Sequence, residues 1–444
     1  MSDRSIDLVV GGGAAGIAAA VRLTEMGRAP LLLEKRPWLG GRATSFVSQE
    51  TGEWIDNGQH VILGCCRNIL NLLEALGTQD LVRFSSTINW AMADGASAHL
   101  KRSPLPAPLH YMPSLFRLKA LTFRERLSLM RAQSAIYFTS ESKRLSLRTM
   151  TFDQWLTQHG QSTNVRATFW EPIVLSALNE PMNECSASAA IDLFQRAFLP
   201  SRNAATIGVP TVSLRELIGD PAQRYLTTQG GEVRVGVGLQ SLQLTDGRVS
   251  QATLTDNATV DVHSVTLAVP AQQMAPLLPE SVRDSMPSLP MWRDDKGSPI
   301  ICIHLWFKEP VTSLPHAILR HGLPQWFFAH PVSAEVTEAT GATQRLVAVI
   351  SAADAAMDLS NDEIVSQTME TLQLALPQSR GTLPIFSRVV REPKATFTLT
   401  IQTEHHRVLQ GTNIPNLHLA GDWTDSGWPA TLEGAVASAQ RIAF

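Results

Sequence analysis

The chain has 444 residues, 44% of them hydrophobic and 17% charged, and its 37 Lys plus Arg against 40 Asp plus Glu give a net charge of −3. That length exceeds what one small core needs and fits two intertwined or sequential domains. No dominant basic patch or tail points to nucleic acid. Four cysteines (Cys65, Cys66, Cys185, Cys302) without CxxC spacing make neither a disulfide framework nor a metal site, so reduced, partly buried thiols of a cytoplasmic protein are expected.

The first element is an apolar run, Leu8-Val9-Val10, that leads straight into Gly11-x-Gly13-x-x-Gly16 and then into helix formers from Ala18 to Leu23. Gly11 permits a tight turn, Gly13 lets backbone approach a pyrophosphate, and Gly16 lets helix pack on strand. The phosphates then meet a helix N-terminus, where free N–H groups and the helix dipole favour negative charge. A second buried strand, Leu31-Leu32-Leu33, ends in Glu34, at the spacing of a ribose-binding carboxylate, with Lys35 beside it. Arg4 ahead of the apolar stretch from Ile6 to Val21 imitates a signal peptide, but the triple glycine at its centre reads as strand, loop and helix. No uncharged apolar run approaches 18 residues, so no transmembrane helix is expected.

Gly40-Gly41-Arg42 closes behind this βαβ unit as a candidate second phosphate contact. Trp54 to Leu63 reads strand, turn, strand, with Asp56-Asn57-Gly58-Gln59-His60 gathered at the turn, and a helix follows at about 66–76. Residues 103–118 hold four prolines among leucines and aromatics. The stretch 122–145 is helical, amphipathic and basic (Arg124, Arg126, Arg131, Lys143, Arg144). Such a pair suits either a membrane surface or an interdomain linker with a solvated helix. Residues 151–199 are mostly helical, and two acids, Glu171 and Glu180, stand out in an apolar setting as candidates to face a cavity.

From 211 the pattern is α/β again. It comprises a helix near 213–227, a strand at Gly230–Val237, a meander over Leu239–Leu254, and a strand at Val262–Val269. Strands at 298–307 and 345–351 suggest a second sheet, with a helix at about 362–376 beside it. A last buried strand runs to Ala420-Gly421-Asp422, and a helix starts near Thr431-Leu432-Glu433, repeating the geometry of the opening motif.

Together these motifs resemble the FAD-dependent amine oxidase and phytoene desaturase superfamily. Within it, Asp56–His60, Ser103–His110 and Gly421–Ala435 resemble the hydroxysqualene dehydroxylase family, the squalene-associated desaturase-like proteins of bacterial hopanoid pathways. The resemblance spans the chain. It implies an α/β fold in which a Rossmann-like FAD-binding domain carries an inserted α+β substrate domain. The FAD-binding parts would be 1–105, 206–290 and 396–444, with a helical, membrane-facing part at 106–205 and a substrate sheet at 291–395.

By the same resemblance Gly11, Gly13, Ala14, Ala15 and Gly16 hold the pyrophosphate, and Glu34 and Lys35 lie at the adenosine ribose. Gly41 and Arg42 cover phosphate or the flavin edge, and Leu239 meets adenine through its backbone. Gly58, Gln59 and His60 line the flavin, Gly421 and Asp422 serve the ribityl chain, and Thr431, Leu432 and Glu433 present N–H groups to the flavin. The lysine that many amine oxidases keep near flavin N5 has no clear counterpart; Lys296 and Lys394 are the available positions.

The implied reaction is reductive removal of the hydroxyl of hydroxysqualene to give squalene, with His60, Glu171 and Glu180 as candidate proton donors. The implied partners are a lipophilic C30 isoprenoid, an electron donor of unspecified identity, and the inner face of the cytoplasmic membrane as a peripheral surface. The alternatives are a carotenoid desaturase or isomerase, an amine oxidase-like flavoenzyme, or a flavin-free prenyl-lipid carrier of the GDP-dissociation-inhibitor type.

Overall fold

The computed structural model describes residues 6–444. Its first sheet has a parallel core in which Glu232–Val235, Pro30–Glu34, Ile6–Val10, Thr259–Leu267 and Leu417–Leu419 lie side by side. Strand Thr259–Leu267 does two jobs. Its beginning pairs antiparallel with Arg248–Leu254, which pairs with Leu239–Thr245, while its end joins the parallel core. The 230s strand is therefore an edge of the parallel core rather than part of the meander. Pro30–Glu34 is buried throughout, as a strand covered on both faces must be. Helix Ala14–Glu25 and the C-terminal helix Leu432–Gln440 cover one face, packing Ile17, Val21 and Val436 into one apolar cluster.

A second seven-stranded sheet runs in the order Phe386–Thr396, Ser298–Phe307, Gln344–Ser351, Trp326–Pro331, His316–Leu319, Thr87–Ala91 and Ser97–Lys101. Alternation along Ser298–Phe307 sorts its two faces. Ile301, Ile303, Leu305 and Phe307 pack with Ile364, Met369 and Leu372 of helix Asn361–Ala375, whereas Ile300 and Cys302 turn to the other core. The hairpin Thr87–Lys101 adds to this sheet through a parallel pairing with Ile318 and Leu319. The first FAD-binding segment thus ends before Thr87 rather than at 105, because open backbone on the second sheet's edge takes up a hairpin that sequence order assigned elsewhere.

A helical layer packs against the second sheet, where Trp90 and Trp326 donate to the Thr168 and Pro172 carbonyls. Thr122 and Thr151 open helices Phe123–Phe138 and Phe152–Gln158 with reciprocal capping boxes. The expected single helix over 122–145 is broken at Thr139, and Ser140 caps a separate short helix, Glu141–Leu145. Aromatic rings fix this layer: Phe194 stacks against Phe169 and Phe198 with centroids 6.1 and 5.7 Å away, and meets Trp170 edge-on at 4.8 Å.

Candidate functional site: a cofactor and substrate cavity

One continuous cavity of about 860 Å³ lies where the loops of the first sheet, the helical layer and the second sheet meet. Its cofactor wall is built at the C-terminal edge of the parallel strands, the usual place for a ligand in such sheets. Gly11 has φ +105°, and a Cβ there would stand 2.5 Å from the Ala268 carbonyl oxygen. A Cβ on Gly16 would stand 1.8 Å from the Gly11 carbonyl oxygen, so only glycine lets this helix lie so close to the turn. A Cβ on Gly13 would meet nothing nearer than the Gly41 Cα at 3.8 Å. Space is left open there rather than filled by protein.

The two glycine loops are bonded to each other. Gly40 N–H donates to the Gly12 carbonyl at 2.8 Å, and a Cβ on Gly41 would lie 2.9 Å from the Gly13 Cα. The Glu34 carboxylate accepts from Gly12 N–H at 2.7 Å and from Arg36 N–H at 2.8 Å. A carboxylate has about four acceptor directions, so capacity remains for a sugar hydroxyl. Lys35 lines the cavity and donates to Gln273 Oε1 at 2.6 Å, and Leu239 is buried on the cavity wall nearby.

The far end of the chain closes the same wall. Arg42 Nη2 pairs with Asp422 Oδ1 at 2.5 Å, and its Nη1 donates to the Ala395 carbonyl at 3.2 Å. Gly421 N–H donates to Ser438 Oγ at 2.8 Å, which anchors the strand end on the C-terminal helix. Thr431 caps that helix by accepting from Gly434 N–H at 3.1 Å, leaving the first-turn N–H groups of Leu432 and Glu433 at the cavity edge. The Glu433 side chain turns the other way. It accepts from Asn68 and Ile69 N–H at 3.0 and 2.9 Å and so caps helix Arg67–Ala75, while burial still raises its pKa.

The 56–60 turn joins this wall to the second sheet. Asn57 Nδ2 donates to the Arg42 carbonyl at 2.9 Å. Neutral His330 donates from Nε2 to Gln59 Oε1 at 2.8 Å, its pKa pushed down to about 3 by burial and the nearby Arg345 guanidinium. Gln59 N–H reaches the Cys302 sulfur at 3.4 Å. His60 donates from Nδ1 to the Gly58 carbonyl at 2.9 Å, because a carbonyl can only accept. Gly58, Gln59 and His60 all line the cavity. The substrate wall is apolar and includes Ile173, Leu193, Phe198, Ile207, Trp326 and Phe328.

Residues 14–443 match the family described as flavin containing amine oxidoreductases. The chain belongs to this family. It is 27% identical to the hydroxysqualene dehydroxylase of Sinorhizobium fredii over 98% of this chain and 96% of that protein. It is 23% identical to the 15-cis-phytoene desaturase of Synechococcus elongatus over 98% and 94%. Among solved structures, an oxidoreductase from Methanosarcina mazei superposes with TM-score 0.70 at 16% identity, covering 98% of each chain, and a putrescine oxidase with TM-score 0.68 at 17% identity, covering 99% and 97%.

FAD is therefore the cofactor, and the residues fit it. The open space at Gly13, the spare acceptor capacity of Glu34 and the two helix N-termini at the cavity supply what a pyrophosphate, a ribose and an electron-rich ring require. Gly11, Gly13, Ala14, Ala15, Glu34, Lys35, Gly41, Arg42, Leu239, Gly421, Asp422, Thr431, Leu432 and Glu433 all line this one cavity, and Gly16 stands just behind it.

Two expected acids do not reach it. Glu171 opens helix Glu171–Leu178 with an exposed side chain, where a carboxylate suits the helix dipole. Glu180 is buried but accepts from Leu399 N–H at 3.0 Å away from the cavity wall. Lys296 and Lys394 are exposed and line no part of the cavity. The acid that sequence reading missed is Glu392, on the cavity wall. It sits in a strand of ordinary β pattern, and only the pairing described below brings it there.

Asp422→Ala removes a charge-assisted contact worth about 1.5–3 kcal/mol and should weaken FAD retention by about 10- to 150-fold. Flavin titration of the deflavinated protein measures it, and unchanged affinity would show that the C-terminal motif does not serve the cofactor. Burial lifts the Glu180 carboxyl from 4.5 to about 8. Its contribution to stability is thus complete below about pH 4.5 and is lost as pH rises through about 8. Relative to Glu180→Gln, the native protein should lose on the order of 3 kcal/mol across that window. Urea unfolding of both proteins from pH 5 to 9 reads the gap, and a constant gap contradicts the assignment.

Proposed function

We propose that this flavoenzyme removes the hydroxyl of hydroxysqualene reductively to give squalene. The observation that carries the reading is the apolar substrate wall, continuous with the cofactor wall and bearing few polar side chains. A hydrocarbon chain fills such a wall without leaving buried polar groups unpaired. Two further findings support it. The match to the dehydroxylases of Sinorhizobium fredii and Zymomonas mobilis runs over 96% and 98% of their length. Neither lysine available for an amine oxidase-type role reaches the cavity.

Reduced flavin, when bound, supplies a hydride. The chain supplies the rest. The Leu432 and Glu433 N–H groups favour negative charge on the bound ring. Ile173, Phe198, Trp326 and Phe328 exclude water around an allylic centre that gains positive character as its oxygen leaves. One polar group must then protonate that oxygen.

We infer also that the enzyme works at the inner face of the cytoplasmic membrane, since such a substrate has almost no aqueous concentration. Among the described residues no helix is long and apolar enough to cross a membrane. Leu109, Phe116, Phe123 and Phe138 are nonetheless 49%, 39%, 63% and 80% exposed. Exposed Arg117, Arg124 and Arg131 accompany them, a composition that suits an anionic lipid surface.

Anaerobic mixing of the reduced enzyme with hydroxysqualene should reoxidise the flavin and yield squalene. Squalene absent, or desaturation of phytoene in its place, overturns the reading. Phe123→Ser with Phe138→Ser should weaken sedimentation with phosphatidylglycerol vesicles about tenfold or more, given about 1.5–3 kcal/mol per fully buried phenyl ring. Equal binding by variant and native protein places the lipid contact elsewhere.

A further inference from the structure

Four carboxylates line the cavity, and three are already engaged. Glu34 holds two backbone N–H groups, Asp422 holds Arg42, and Glu433 caps a helix. The fourth, Glu392, makes no hydrogen bond or ion pair among the described residues, although it stands beside the apolar wall.

Its position is produced by an irregularity in the second sheet. Ser298 pairs with Thr396, yet Ile300 pairs with Glu392, so two steps on one strand face four on the other. Pro393, Lys394 and Ala395 take up the excess as a bulge. The bulge rests on Gly297, whose φ is +71° and where a Cβ would come 3.0 Å from the Lys394 Cα. Bulges re-aim side chains beside active sites. Here the bulge brings both Glu392 and Ala395 to the cavity, and the Ala395 carbonyl is held by the same Arg42 that pairs with Asp422. Glu392 is thereby tied to the cofactor wall while lying opposite Ile300 of the apolar core.

We propose that Glu392 protonates the departing hydroxyl of the substrate; this rests on the dehydroxylation reading above. The C–O bond breaks, the oxygen takes the Glu392 proton and leaves as water, and the carbon gains a hydride from the two-electron-reduced cofactor. Solvent then reprotonates Glu392. The Arg42 guanidinium and the Cys302 thiol both stand close enough to Glu392 to interact with its charge, and Arg391 and Lys394 flank it along the strand. Arg42 is already neutralised by Asp422, and burial holds Cys302 as the thiol, its pKa pushed up to about 12.

The test uses full-length, FAD-loaded Glu392→Gln and Glu392→Asp. Both should retain flavin like the native protein. With hydroxysqualene under anaerobic reduction, Glu392→Gln should lose about 10²–10⁴-fold in kcat at little-changed KM, and Glu392→Asp should recover part of it. Native activity with an equally active Glu392→Gln overturns the assignment alone, whereas native protein that forms no squalene overturns the substrate reading and this assignment with it.

Discussion

The Arg42–Asp422 pair is the constraint on which the rest of the site depends. Asp422 lies just past the last parallel strand, Leu417–Leu419, and Arg42 follows the second glycine loop, 380 residues earlier. The same guanidinium donates to Ala395 of the second sheet, and the Arg42 backbone carbonyl is held by Asn57. Four separate stretches of chain are thus fixed around one planar cation. A guanidinium suits this task because its donors point in several fixed directions at once, which a lysine cannot match. Arg407 reinforces the junction from the C-terminal side, donating to the Trp428 and Asp422 carbonyls at 2.6 and 2.7 Å. The cofactor site is therefore a closure of the chain on itself, and its formation has to await long-range contacts.

From that junction the cavity divides by chemistry. Loops at the edge of the parallel sheet contribute backbone N–H groups and a few committed carboxylates. Helices and the inward face of the second sheet contribute hydrocarbon. The sorting follows from strand alternation, which sends Ile301, Ile303 and Leu305 to the helix-covered side and Ile300 and Cys302 to the cavity side. The 56–60 turn couples the halves, since Gln59 is held by both His330 and Cys302 while Asn57 holds the glycine loop.

What could be read from the sequence was set by local spacing. Gly11, Gly13, Gly16, Glu34 and Asp422 declare themselves because a strand, a turn and a helix start are consecutive in the chain, and steric need limits which residues serve. The second sheet was visible as strands but not as an order. Its recruitment of Thr87–Lys101 depends on one parallel pairing with residues more than 200 positions away. Glu171 and Glu180 drew notice as acids in apolar surroundings, yet local composition does not tell which way a helix face turns. Glu171 begins its helix at the surface, and Glu180 follows the left-handed Asn179 that ends the same helix. Glu392 gave no signal because its placement comes from a register slip between two strands, a property of the pair rather than of either sequence.

The scarcity of free polar groups in the cavity has a mechanistic meaning. In the dehydroxylation proposed above, a leaving hydroxyl and a positive allylic carbon both attract water, and a wet site would trap the carbon as an alcohol again. Excluding water therefore protects the reaction, but it also raises the cost of every uncompensated charge. The fold answers by giving three of the cavity's four carboxylates partners within the protein and leaving Glu392 without one among the described residues. That residue flanks a bulge seated on a glycine, and Ala395 within the bulge accepts from the cation that organises the cofactor wall. The Arg42 junction therefore joins the cofactor wall to the strand that carries Glu392.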